Sequence, residues 1–113
     1  MHLKGKLTLG ENAADNGGIH LAYLALMRDL VDKTLPDAKA DGLTPQQQFF
    51  LGYAQVWCEN ATDANARVRA VTDPHSPGQF RVIGVVENMK EFGEAFGCKE
   101  GDPMVAEKQC RVW

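Results

Sequence analysis

The sequence is short of most features that would place a chain at a glance. No apolar run approaches the roughly 20 residues needed to cross a bilayer, and Met1-His2-Leu3-Lys4-Gly5 lacks the apolar segment of a secretory signal. Twelve basic against fifteen acidic side chains leave a net charge of -3. That balance offers no electrostatic footprint for nucleic acid or an anionic membrane surface. Histidine is scarce: His2, His20 and His75 are the only three, and none belongs to an H-E-x-x-H pair, the helical motif that supplies two zinc ligands and a general base. A complete catalytic zinc site normally takes three protein ligands and a water, so none can be assembled from these residues alone. Cysteine is limited to Cys58, Cys98 and Cys110, an odd number that leaves at least one thiol without an internal partner. Read without context, these are three reduced, buried thiols of a cytoplasmic protein.

What remains is a globular composition, 44% apolar and 24% charged over 113 residues, enough for one domain with a real core. Lys4 to Leu9 has extended character. Glu11 to Leu35 reads as helix, with Leu21, Leu24, Ala25 and Val31 on its apolar face and a bend or close backbone approach at Gly17-Gly18. Thr44-Pro45-Gln46-Gln47 supplies an N-cap, a proline in the first turn and a capping-box glutamine, so a second helix starts there. It runs through Phe49, Phe50, Tyr53 and Trp57 and should be largely buried. A third helix is expected from Asp63 to Val71. Asp73-Pro74-His75-Ser76-Pro77-Gly78 is a rigid loop presenting His75. The β-branched stretch Gln79 to Val86 reads as extended and broken at Gly84. A fourth helix, opened by Asn88-Met89-Lys90-Glu91, ends at Gly97, and a turn-rich tail follows. The expected fold is mainly α with a short extended segment.

Three constellations could carry chemistry. Glu11 and Asp15, four apart on a helix, put both carboxylates on one face; they suit a solvated acidic face at a helix N-terminus as well as cation binding. If a metal were bound, Glu11 could ligate it while Asp15 accepted a hydrogen bond from a ligating imidazole. His75 has Asp73 two residues before it as an orienting carboxylate and Arg81 six residues after it, and imidazole and guanidinium together can donate to a carbonyl oxygen or oxyanion. Ala54 to Cys58 has the composition of core.

Gly10-Glu11-Asn12-Ala13-Ala14-Asp15-Asn16-Gly17-Gly18 resembles the G-E-N-x-A-D-x-G-G motif of the neprilysin and endothelin-converting enzyme family of zinc metalloendopeptidases. Leu43 to Phe50, Tyr53 to Cys58, Thr72 to Arg81, Asn88 to Gly97 and Cys110-Arg111-Val112-Trp113 resemble the C-terminal third of that family in the same order. The resemblance implies a helical piece of a gluzincin-type catalytic domain, residues 1–113, truncated at its N-terminus. It implies Glu11 as third zinc ligand, Asp15 as the acid orienting a zinc-binding histidine, His75 as oxyanion stabiliser supported by Asp73, and Arg81 as ligand of a substrate carbonyl. Val56 and Trp57 would border the pocket for the side chain after the cleavage point. It also implies Zn2+ in the full-length parent but not bound tightly here, a peptide substrate, and an extracellular, envelope or membrane-anchored setting. The unpaired cysteines then read as partners of cysteines elsewhere in the parent. Alone, the chain is expected to be inactive. A non-catalytic helical peptide-binding or self-associating module, homo-oligomeric through apolar surface left uncovered, is the other expectation.

Overall fold

The computed structural model describes residues 3–112; His2 and Trp113, the last residue of the C-terminal signature, lie outside them. Five helices follow one another: α1 (Gly5–Val31), α2 (Pro45–Val56), α3 (Asp63–Thr72), α4 (Gly78–Val86) and α5 (Lys90–Phe96). The expectation of a mainly helical chain holds. The extended segments do not: both are helical, and the described residues pair as β only at an isolated bridge between Ala40 and Leu43.

The reason lies in where the apolar side chains go. In α4, Val82, Val85 and Val86, with Met89 just beyond, recur at helical spacing and pack into one cluster around Phe50 and Tyr23. Tertiary burial of that stripe outweighs the modest helix penalty of β-branched residues. Pro77, with φ fixed at -54°, stands at the N-cap and lets the helix start at once after the loop. At the other end, Thr8 is buried and accepts a hydrogen bond from Asn12 Nδ2 at 3.2 Å, so residues 5–9 extend α1 by a turn and a half. No bend interrupts Gly17-Gly18, although Gly17 is buried.

The capping box forms as read: Thr44 Oγ1 accepts from Gln47 N at 3.2 Å and Gln47 Oε1 accepts from Thr44 N at 3.0 Å. Gly97 takes the left-handed conformation (φ 68°) that closes α5. Asn88 does not cap α5; its amide is used elsewhere. The core holds Tyr23, Phe50, Val85, Val86 and Met89, with Phe50 stacked on Tyr23 and edge-on to Phe49 and Phe92. Two burial expectations are corrected. The buried side of α1 is Thr8, Gly17, His20 and Tyr23, while Leu21, Leu24 and Val31 face outward. In α2 only Phe50 is fully buried, and Val56 is 72% exposed. No described helix is long and apolar enough to cross a membrane.

Candidate active site

α1 packs on α4, and α2 packs on both α4 and α5. This arrangement brings together three stretches far apart in sequence: the second and third turns of α1, the end of α2, and the Asp73–Gly78 loop with the start of α4. Gly78 fixes the last junction, because a Cβ there would stand 2.5 Å from the Trp57 backbone oxygen. Only glycine lets α4 start so close to the end of α2.

Asp73 is the organiser of the loop. Its Oδ1 accepts from the His75 backbone N–H and faces His75 Nδ1, both at 2.9 Å. Its Oδ2 accepts from Arg69 Nε at 3.0 Å. The His75 backbone and ring bonds, then Arg69, hold the Asp73 carboxyl down at about 2. An ionised Asp73 accepts a hydrogen bond from a proton-bearing Nδ1 and turns Nε2 outward. Nε2 then lies 3.3 Å from Glu11 Oε2, across 64 residues of chain, with both side chains nearly half exposed.

Asp15, one turn along α1 from Glu11, takes the fork of Arg81: Nε and Nη2 each donate to one of its oxygens at 2.6 Å. Both side chains are 13% exposed, and the bidentate geometry is the strongest an arginine makes. The Arg81 guanidinium is held still further toward its charged form, by the Asp15 hydrogen bonds first. It also lies over the Trp57 ring, 3.7 Å from the centroid. Tyr53 OH donates to the Arg81 carbonyl at 2.9 Å, and burial, with Asp15 nearby, pushes its phenol up to about 12. Trp57 borders a shallow hollow of about 310 Å3 with Cys58, Glu59, Gly78 and Gln79; Val56 stands outside it at the exposed end of α2.

The seven candidate residues thus fall into a trio, a pair and a rim. His75 meets both Glu11 and Asp73, Asp15 meets Arg81, Trp57 lies beneath Arg81, and Val56 is peripheral. Sequence reasoning missed the supporting layer. Arg69, four residues before Asp73 on α3, was within reach of helical spacing. Glu59, which pairs with Arg69 at 3.3 Å and accepts from Gly78 N at 3.4 Å, leaves no comparable local signal.

These residues can be set beside known proteins. The family model of peptidase family M13 matches residues 1–112. This chain belongs to that peptidase family. It is 50% identical to neprilysin-3 of Drosophila melanogaster over 113 residues, covering 98% of this chain and 14% of that protein. Against mouse endothelin-converting enzyme 1 it is 48% identical over 115 residues, covering 98% and 15%. Among solved structures it is similar to the zinc metalloprotease ZMP1 of Mycobacterium tuberculosis in its open state. There the TM-score is 0.88 at 41% identity, over 99% of this chain and 17% of that one. The chain therefore spans about a seventh of the length of the curated relatives it matches.

For a member of this family the question is whether its residues fit zinc. Among the described residues no three His, Cys, Asp or Glu side chains gather in a group that could hold a metal ion. Glu11 fits a single ligand: its carboxylate sits on a helix face, is 44% exposed, and faces the His75 imidazole. Asp15 does not fit direct ligation here, because both its oxygens are taken by Arg81. Cys58, Cys98 and Cys110 are free thiols; Cys58 and Cys110 are exposed rather than buried.

Proposed function

We propose that these 113 residues are the C-terminal part of the catalytic domain of a zinc-dependent metalloendopeptidase, a single domain that continues on its N-terminal side and whose parent hydrolyses peptide bonds in oligopeptides. The observation that carries this reading is the meeting of Glu11 with the Asp73-buttressed His75 at 3.3 Å. It sets a metal-type carboxylate against an imidazole on a face open to solvent.

In the parent, Glu11 is the third protein ligand and two histidines from outside this chain complete the set. Zinc, when bound, polarises the scissile carbonyl and lowers the pKa of a bound water. This chain's residues do the rest of the positioning. When doubly protonated, His75 keeps its Nδ1 proton on Asp73 and donates its Nε2 proton to the reacting carbonyl oxygen as that atom gains charge. Arg81, pinned in plane by Asp15 and Trp57, offers its remaining N–H groups to a backbone carbonyl of the peptide. Asp15 has oxygens enough to orient one ligating imidazole while it keeps Arg81. Trp57, with Val56 at its edge, walls the pocket for the side chain after the cleavage point. With one ligand and no general base of the H-E-x-x-H type, the chain alone is inactive and holds no tight zinc.

The test is a graft. Residues 1–113 replace the matching stretch of mouse endothelin-converting enzyme 1, and hydrolysis of a fluorogenic peptide with a hydrophobic residue after the cleavage point is followed, beside the free chain with added zinc. Chelator-sensitive turnover by the graft and none by the free chain is expected. An inactive but folded graft, or turnover by the free chain, overturns the proposal. One observation favours a second reading, a non-catalytic module that binds peptides or itself: Leu21, Leu24 and Val31 on α1 and Leu51 and Val56 on α2 are all more than 40% exposed. Concentration-dependent light scattering of the free chain separates the two.

A further inference from the structure

The Glu11–His75 contact is itself weak. Two side chains more than 40% exposed attract each other little in water and give up rotamer freedom to stay in register, so something else must hold α1 against the loop. One residue along on each side, the Ser76 hydroxyl donates to Asn12 Oδ1 at 2.8 Å. Ser76 is 4% exposed, and its bond spans 64 residues of sequence.

The Asn12 amide is held in turn. Its Nδ2 donates to the buried Thr8 Oγ1 at 3.2 Å, and its backbone oxygen accepts from Asn16 Nδ2 at 2.8 Å. Asn16 Oδ1 then accepts from Asn88 Nδ2 at 3.2 Å, and Asn88 also donates to the Gly84 carbonyl of α4 at 3.0 Å. With the amide donor spent on Thr8, its oxygen is the atom presented to the loop, and it accepts only from a hydroxyl or N–H donor. The two neighbours share a clock: Glu11 and Asn12 are consecutive on a rigid helix, His75 and Ser76 consecutive on a loop stiffened by Pro74 and Pro77. Fixing Asn12 to Ser76 therefore fixes Glu11 to His75.

We infer that Asn12 and Ser76 form a neutral latch that sets the register between the zinc-type carboxylate and the imidazole, which makes both of them positioning residues for the peptidase. The bond is uncharged and sheltered, so it holds its distance whatever the charge on the two groups it aligns. The polar row Thr8–Asn12–Asn16 along α1, continued by Asn88 just after α4, anchors the latch to α4, the helix that also carries Arg81. A cleft of about 590 Å3 runs along this row, and water entering it can take over a polar group left unpaired while leaving the register unfixed.

The structural consequence is read first in the free chain by NMR, where proximity of the Glu11 side chain and the His75 ring gives a nuclear Overhauser contact. Ser76→Ala and Asn12→Ala each abolish that contact while the helical circular dichroism and a cooperative melt persist. Ser76→Thr, which keeps the hydroxyl, and Asn12→Asp, which keeps the oxygen acceptor, retain it. The double variant Asn12→Ala/Ser76→Ala loses no more than either single one. If one alanine variant fails to fold, the other is compared with its own conservative partner in the same way. In the graft, which rests on the peptidase reading above, Ser76→Ala lowers kcat about ten- to a hundred-fold, the scale of a small misplacement at a reacting centre. KM stays within about two-fold, and Ser76→Thr recovers most of kcat. Persistence of the Glu11–His75 contact in the folded alanine variants, or additive effects of the two substitutions, overturns the latch. An inactive wild-type graft would sink the peptidase reading and leave the NMR result standing on its own.

Discussion

Two glycines of α4 should answer the same substitution with opposite signs. At Gly78 an added Cβ lies 2.5 Å from the Trp57 carbonyl oxygen and 3.4 Å from the carbonyl carbon. The first distance falls about 0.9 Å short of ordinary contact at 3.4 Å, and the obstacle is backbone at the end of a helix, which cannot swing aside like a side chain. Overpacking of this kind costs roughly 1–3 kcal/mol. Against it stands about 0.4–1 kcal/mol from the reduced freedom of the unfolded chain when Gly becomes Ala. Gly78→Ala should therefore destabilise by about 1–2 kcal/mol, lowering Tm by roughly 4–10 °C for a chain of this size. It should also lift the Arg81 guanidinium off Trp57 and alter the near-ultraviolet circular dichroism. Gly84, mid-helix, has nothing within 4 Å of a built Cβ. Gly84→Ala should stabilise by about 0.5–1 kcal/mol. Urea melts followed by far-ultraviolet circular dichroism measure both. A neutral Gly78→Ala, or a destabilising Gly84→Ala, would refute the packing argument.

Phe50, 2% exposed and touching four other rings, should cost about 3–5 kcal/mol as Phe50→Ala, seen as a lower urea midpoint at unchanged slope. Arg81→Met leaves Asp15 mostly buried without its cation; the expected loss is about 3 kcal/mol, and a loss under about 1 would mean the fork contributes little. Asp73 contributes to the acid limb of stability. Its folded pKa is depressed from 3.8 to about 2, so its contribution is present above pH 4 and fades as pH falls toward 2. The difference in urea midpoint between the chain and Asp73→Asn should therefore narrow over that window, and a constant difference would contradict the assignment.

Features written in a few adjacent residues could be read from the sequence. The Thr44–Gln47 box and the Gly97 stop are local hydrogen-bond devices, and both are as expected. The i, i+4 pairing of Glu11 with Asp15 needed only helical geometry. What misled was composition where tertiary contacts decide. Val82, Ile83 and Val85 suggest a strand by type, yet Val82 and Val85 join Phe50 and Met89 in one cluster, which rewards a helical stripe. Leu21, Leu24 and Val31 mark an apolar face of α1, but the chain buries the face with His20 and Tyr23 instead. Arg81 was expected against substrate and Asp15 against an imidazole. That they clasp each other across 66 residues is a product of α1 packing on α4, and no local pattern announces it. The same holds for Glu59 beneath Arg69 and for Ser76 on Asn12.

The central claim is that Glu11 is a zinc ligand of a peptidase. The direct test is the zinc content of the purified graft after exhaustive dialysis, measured by atomic emission for the wild-type segment and for Glu11→Ala. One zinc per chain is expected for the former. For the latter the affinity should fall by more than the roughly 10–100-fold typical of losing a residue that only supports a ligand, so that dialysis strips the metal. Full retention of zinc by a folded Glu11→Ala graft would contradict the account.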